Sequence, residues 1–326
     1  MAPTSVSPPP LRPPKANIQK YKVALCQLLV SPDKEENIDR ARARIEAAAD
    51  AGAMLIVMPE IWSCPYSMET LQSYAEDIDG GASPSISMLS EIAAARKITI
   101  VGGSIPEKAS GKVFNTCCVI GPDGRILAKH RKLHLFEIDI PGDITLKESD
   151  TFTGGQEPTV ADTDVGRIGI GICHDIRFPE LAMLYRSRGA HLICYPSAFN
   201  TSTGELLWDL MQKSRAVDNQ LFVATCSPAR DPNPKSDYMI WGHSSLIGPF
   251  GEVLAAAGHE EMTVIGEIDL SMIQSTRENL PLEMQSRGDL YRLVDVQRQT
   301  SLQAAVPGEW RPESEDVLVN DSDTML

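Results

Sequence analysis

Arg167-Ile168-Gly169-Ile170-Gly171-Ile172-Cys173-His174-Asp175-Ile176-Arg177-Phe178-Pro179-Glu180 reads as a short apolar strand, a turn, and the start of a helix. A short continuous apolar run of this kind is that of a strand buried on both faces. Pro179 suits a first helical position, and helical spacing carries on to Arg188. Ala190 to Tyr195 then reads as a second strand, which completes a β-α-β unit. A thiol at a strand-to-helix turn lies near backbone N–H groups and a helix dipole, which favour the thiolate. Cys173 is therefore a candidate nucleophile. The competing expectation is a core thiol, because free Cys is among the most buried residue types. Gly166, Gly169 and Gly171 mimic a dinucleotide-binding loop, but they lack the G-x-G-x-x-G order and fall inside the strand.

Outward from this unit, strands and helices alternate. Tyr21 to Val30 reads as a strand. Ser31 and Pro32 open a helix as cap and first residue, and Ile38, Ala41, Ile45, Ala48 and Ala49 share its apolar face. Gly52 ends that helix, and a strand runs to Met58. Ile86 to Lys97 is a second amphipathic helix, followed by the strand Ile98 to Gly102. Val113 to Ile120 and Arg125 to Lys129 form a hairpin across Gly-Pro-Asp-Gly. Helix Leu206 to Asp218 and strand Leu221 to Cys226 come next. Ser244 to Ile247 and Val253 to Ala256 form another hairpin, and Met262 to Ile268 is the last strand. The pattern is α/β, with mixed sheets covered by helices on their outer faces. No linker divides residues 18–297, so a single domain is expected. Residues 1–17 read as a disordered Pro-rich tail without the apolar core of a secretory signal or the Arg content of a transit peptide. Residues 298–326 read as an acidic tail.

Composition narrows the function. The 326 residues carry a formal charge of −14, which argues against nucleic acid or anionic membrane surfaces as partners. No apolar run approaches the ~20 residues needed to span a membrane. The seven cysteines include no C-x-x-C pair. Cys26, Cys118, Cys194 and Cys226 lie in strand-like runs, the pattern of reduced core thiols in a cytoplasmic protein. Cys117 and Cys118 should face opposite sides of their sheet. The six histidines show no metal-ligand spacing, so no metal and no cofactor are expected.

Two further segments bear on Cys173. Met54-Leu55-Ile56-Val57-Met58-Pro59-Glu60 is an apolar strand ending in Pro and a carboxylate. Lys129-His130-Arg131-Lys132-Leu133-His134-Leu135-Phe136 is a cationic cluster leading into an apolar stretch. Taken singly, Glu60 reads as a solvated loop carboxylate and Lys132 as part of a solvated basic face. Together with Cys173 they form, in order, the Glu–Lys–Cys signature of the nitrilase superfamily, which the chain resembles from about Tyr21 to about Val296. Gly102-Gly103-Ser104-Ile105-Pro106-Glu107, Phe114-Asn115-Thr116-Cys117, Ala198-Phe199-Asn200, Ser214-Arg215-Ala216-Val217-Asp218-Asn219-Gln220 and Trp241-Gly242-His243-Ser244 resemble its omega-amidase branch.

The resemblance implies a four-layer α-β-β-α sandwich, dimerisation across helical faces, and hydrolysis of small 2-oxo dicarboxylic monoamides such as 2-oxoglutaramate and 2-oxosuccinamate through a cysteine thioester. A cytoplasmic location is expected from the cysteine pattern, with a mitochondrial one as the alternative. An amide needs a nucleophile, a base that becomes an acid for departing ammonia, and a positive group for the oxyanion. The resemblance assigns these to Cys173, Glu60 and Lys132. It also implies a second carboxylate at Glu148, with Glu137 as the rival. Arg177 would clamp a substrate carboxylate bidentately, or else pair structurally with Asp175 or Glu180. Tyr66, His174, Phe199 and Thr203 would line the pocket. His134 and His243 are the distant partners that a Cys–His hydrolase would need. Three departures from the branch stand out: His174 replaces Tyr, Leu206-Leu207 replaces Ala-His, and Ser197 replaces Gly. The last leans toward a deaminated-glutathione amidase, the alternative activity. A non-catalytic scaffold is the reading from another class, opposed by the intact triad.

Overall fold

A computed structural model describes residues 18–140, 144–232 and 238–298. The expectations for residues 1–17 and for the acidic tail beyond Arg298 lie outside them. The first half of the chain folds as β1 (Lys20–Gln27), α1 (Lys34–Asp50), β2 (Ala53–Val57), α2 (Pro84–Arg96), β3 (Thr99–Val101), β4 (Ile105–Ala109), β5 (Lys112–Ile120) and β6 (Ile126–Arg131). A small hairpin follows, β7 (Glu137–Ile140) and β8 (Ile144–Lys147). The second half is β9 (Thr159–Thr163), β10 (Gly166–Ile170), α3 (Pro179–Ser187), β11 (Leu192–Pro196), α4 (Thr201–Asn219), β12 (Phe222–Cys226), β13 (Ser245–Ile247), β14 (Val253–Ala256), β15 (Met262–Asp269), α5 (Ser271–Asn279) and α6 (Leu282–Gln285).

One sheet runs in the order β15-β1-β2-β3-β5-β4, with β6 paired to β5. The other runs β14-β13-β12-β11-β10-β9. Both have a parallel centre (β1-β2-β3 and β10-β11-β12) and antiparallel margins. Alternation along the strands divides the core. Val23 and Leu25 of β1 and Cys117 and Val119 of β5 join the core shared with the second sheet. Ala24, Cys26, Cys118 and Ile120 face outward and pack under Ile45 of α1 and Leu89 and Ile92 of α2. Cys117 and Cys118 thus lie on opposite faces, as the strand period requires. On the other side α3 and α4 cover the second sheet through Leu181, Tyr185, Trp208 and Ala216. The layers are helix, sheet, sheet, helix.

The glycines of the β10 run are explained by close packing. A Cβ at Gly171 would lie 2.5 Å from a Tyr195 ring carbon, and one at Gly169 would lie 2.8 Å from the Tyr185 ring. Helix boundaries shift where capping chemistry competes. Asp33, not Ser31, caps α1, accepting from the N–H groups of Glu35 (2.9 Å) and Glu36 (3.1 Å). Ser83 caps α2, which begins with Pro84 at its first turn. α4 starts five residues before the expected Leu206, where Asn200 Oδ1 accepts from Thr203 N–H at 2.8 Å. All seven cysteines are free and buried.

Candidate active site

The two sheets present the ends of β2, β6 and β10 to one region, and the hairpin end at β8 joins them. The carboxyl ends of parallel strands are where open α/β sheets gather their ligand groups. Glu60 follows β2, Lys132 follows β6, Glu148 follows β8, and Cys173 opens a one-turn segment, Cys173–Arg177, after β10. Glu60, Lys132 and Glu148 are all fully buried, and Cys173 is 6% exposed.

Lys132 is the centre. Its Nζ donates to Glu60 Oε1 at 2.9 Å and to Glu148 Oε1 at 2.9 Å. Burial works against the ammonium, but the charges of Glu148 and Glu60 outweigh it and hold Lys132 well above the usual lysine range. Glu60 Oε1 also accepts from Asn115 Nδ2 of β5 at 2.9 Å, while Oε2 is buried with no hydrogen-bond partner among the described residues. Burial raises the Glu60 carboxyl above its ordinary range; Lys132 opposes this, Glu148 adds to it, and the neighbouring Cys173 thiol favours the charged form. Glu148 Oε1 accepts from the Tyr66 hydroxyl at 2.5 Å, and its Oε2 accepts from Phe136 N–H at 2.6 Å. Glu137 is exposed and bonded to Ser149, so the carboxylate on Lys132 is Glu148.

The expectation that a helix dipole makes Cys173 a thiolate is corrected. α3 begins only at Pro179, beyond the Cys173–Arg177 turn. Burial pushes the Cys173 thiol well above its usual range, as does Glu60; Lys132 and the backbone of Ala198 oppose them without prevailing. The thiol therefore rests protonated beside a carboxylate. Its backbone has φ 45°, in the left-handed region that favours glycine. Such a conformation persists only where the surroundings enforce it. Beside it, Asp175 accepts from Ile172 N–H at 2.9 Å.

Asp175 also resolves the alternatives for the histidines and for Arg177. His130 Nε2 lies 3.1 Å from its Oδ2, and His134 Nδ1 lies 2.7 Å from its Oδ1. His134 stacks on Phe178, with centroids 3.6 Å apart, and His243 stacks on Trp241. Neither is bonded to the thiol. His174 is half-buried, edge-on to Phe136 and Phe178, and burial lowers it to about 4 with help from Lys132, so its ring is neutral near pH 7. Asp175 is filled by other donors, and among the described residues no ion pair holds the exposed Arg177 guanidinium. Arg215 Nη2 donates to the Arg177 carbonyl at 3.2 Å.

Phe199 is buried, edge-on to Trp208. Thr203 donates its hydroxyl to Asn200 Oδ1 at 2.6 Å, so that group serves the α4 cap. Sequence reasoning missed Asn115 and Tyr238. The Tyr238 ring stacks on Tyr66 at 4.9 Å and its hydroxyl donates to the Ala198 carbonyl at 2.7 Å. Asn115 falls inside a quoted motif, and its β5 register beside β6 was the available signal. Nothing local marks Tyr238. A cavity of about 1110 Å³ lies elsewhere, between α3, α5 and α6. Among the described residues no cluster of three or more His, Cys, Asp or Glu could hold a metal ion.

Comparison with known proteins agrees with this geometry. The chain matches the carbon-nitrogen hydrolase family over residues 22–278. It is 60% identical over 287 residues to a chloroplastic omega-amidase of Arabidopsis thaliana, covering 87% of this chain and 77% of that protein. It is 49% identical over 271 residues to omega-amidase NIT2 of Homo sapiens, covering 83% of this chain and 96% of that one. The crystal structure of Saccharomyces cerevisiae Nit3, a member of branch 10 of the nitrilase superfamily, superposes with a TM-score of 0.76 at 44% identity, covering 82% of this chain and 97% of the other. The sandwich, the strand-end cluster and these likenesses agree: the chain belongs to the carbon-nitrogen hydrolase family, on the omega-amidase branch of the nitrilase superfamily.

Proposed function

We propose that this chain is an omega-amidase, releasing ammonia from the terminal amide of small 2-oxo dicarboxylic monoamides by way of a Cys173 thioester. One observation carries the chemistry: the buried Glu60 carboxylate has one oxygen tied to Lys132 and Asn115 and the other without a hydrogen-bond partner among the described residues, beside a protonated thiol. The substrate class is supported by the names of the relatives.

Glu60 takes the Cys173 proton as Sγ bonds to the amide carbon. Its raised proton affinity suits it to this task. The developing oxyanion is met by the Lys132 ammonium, which costs no reorganisation because two carboxylates already hold it. Collapse breaks the C–N bond, and Glu60 returns its proton to the departing ammonia. Water, deprotonated by Glu60, then attacks the thioester carbon and regenerates the thiol. Glu148 acts through Lys132, and Tyr66 fixes Glu148. Arg177, exposed and held by no ion pair among the described residues, is the candidate for the substrate's carboxylate.

The subunits pair through α4. Leu206 is 76% exposed, Leu210 56% and Val217 42%, an outward apolar stripe on the helical face. Sedimentation should give a dimer, and Leu210→Glu should weaken it. The cysteine pattern supports a reducing compartment such as the cytoplasm. No described helix is long and apolar enough to cross a membrane. The deciding experiment is ammonia release from 2-oxoglutaramate, 2-oxosuccinamate, deaminated glutathione and simple nitriles. A preference for deaminated glutathione would replace the omega-amidase reading, and no release from any of them would end the amidase reading.

A further inference from the structure

We propose that Asp175 is a positioning residue that sets the separation between the Cys173 thiol and the Lys132 ammonium. The proposal rests on the amidase reading above. Asp175 lies two residues after Cys173, and its histidine partners lie two residues before and two residues after Lys132. Its Oδ2 accepts from Ile172 N–H at 2.9 Å and sits 3.1 Å from His130 Nε2. Its Oδ1 accepts from the backbone N–H of His134 at 2.9 Å and sits 2.7 Å from His134 Nδ1. One fully buried carboxylate thus grips the residue before the nucleophile and both shoulders of the lysine.

This grip matters because of where the two segments come from. Lys132 follows β6 in the first sheet, and Cys173 follows β10 in the second. No ladder of backbone hydrogen bonds joins those two strands, so main-chain register does not fix how far apart their ends lie. Asp175 supplies the missing tie, and His130 extends it to β9, where its Nδ1 is 3.0 Å from Thr159 Oγ1. An amide cannot replace the carboxylate. Each oxygen accepts from a backbone N–H, so either orientation of Asn would aim its NH2 at a donor. Burial works against a charged Asp175, but the bonds from His130, His134 and Ile172 more than compensate and hold it well below the usual carboxylate range.

The tie should affect one step selectively. Amide attack needs the oxyanion to form within reach of Lys132, and a misplacement of about 1 Å can cost on the order of 10²-fold. Alkylation of Cys173 by iodoacetamide builds no oxyanion and does not need that spacing. Two variants separate the effects. Asp175→Asn removes the charge. His134→Phe removes only the Nδ1 donor while leaving a flat ring to stack on Phe178.

In both variants kcat should fall with KM little changed, by about 10²-fold for Asp175→Asn and about 10-fold for His134→Phe. The alkylation rate of Cys173 should stay close to that of the parent protein. A fall of alkylation in parallel with turnover would overturn the proposal, because Asp175 would then merely hold the nucleophile's turn together. Unchanged turnover in folded variants would overturn it as well. Should Asp175→Asn fail to fold, His134→Phe, changed at a half-exposed position, decides alone. A parent protein that hydrolyses no amide sinks the amidase reading and this proposal together; an active parent with parallel losses in the variants sinks this one only.

Discussion

Two carboxylate–cation clusters hang from the same strand, and they differ in charge count and in access to water. On one side of β6, Lys129 and Arg131 both serve Glu107: Lys129 Nζ is 2.8 Å from its Oε1, and Arg131 reaches Oε2 at 2.7 Å and Oε1 at 2.9 Å. Just past the strand's end, Lys132 alone serves both Glu60 and Glu148. Glu107 therefore has Arg131 to itself and shares Lys129 with the exposed Asp79, so two cations face two carboxylates, and both cations keep some contact with water. Although burial works to raise it, hydrogen bonds from Arg131, Lys129 and Thr116 bring it down to about 2. Glu60 must share one cation in a dry site, and its proton affinity rises. A carboxylate matched by its cations is a fixed anion, suited to structure. One with half a cation is poised to accept a proton, suited to catalysis.

The comparison breaks first at the nucleophile. Cys173→Ala should leave a folded protein and cost at least ~10³-fold in turnover, the scale of removing a hydrolase nucleophile. Retained ammonia release from a well-folded variant would end the thioester mechanism. Next, Lys132→Met should cost about 10²–10³-fold in kcat, since its charge meets charge that develops only during reaction. If a Lys129→Met variant lost as much rate, the division of β6 into a structural and a catalytic side would fail.

The third test runs the other way. Glu107→Gln should lower stability by about 1.5–3 kcal/mol, the scale of a hydrogen bond to a charged group, while turnover per folded molecule changes little. The pH dependence has a definite sign. The folded-state value of Glu107 is depressed, so its contribution is fully present above the ordinary carboxylate value and is lost as pH falls toward about 2. The stability gap between parent and Glu107→Gln should thus shrink on acidification from about pH 5 in urea titrations. A gap independent of pH would mean that Glu107 contributes through packing rather than charge.

How much of this was legible depends on whether a signal is local. Glu60, Lys132 and Cys173 stand at strand ends within recognisable motifs, and the structure brings them together with Glu148. β4 was not legible, because Pro106 and the charged Glu107 and Lys108 give no strand pattern; the strand lies at a sheet edge, where Pro is tolerated. β9, also at an edge, was equally faint. The first turn of α4 was hidden by Gly204, which the packed Trp241 ring requires. Asp175 looked like a partner for Arg177, and only the approach of β6 from the other sheet shows that two histidines claim it. Contacts between sheets leave no periodic trace in sequence.

The smallest expected effect concerns a cation that neither cluster uses. Arg177 is exposed, close enough to His174 to oppose its protonation, and held by no ion pair among the described residues. If it clamps the carboxylate of a 2-oxo dicarboxylic monoamide, Arg177→Lys should raise KM for that substrate with kcat nearly unchanged. Lys keeps the charge but loses the planar two-point fork. The loss should be about 1.5–3 kcal/mol at most, because water competes at an exposed site. Monoamides lacking the second carboxylate should be poor substrates of the parent and indifferent to the change, since both classes use the same Cys173, Glu60 and Lys132. Equal losses for both classes would instead assign Arg177 to the turn around Cys173, where Arg215 already holds its carbonyl, and dicarboxylate selectivity would have to come from another side chain of the pocket.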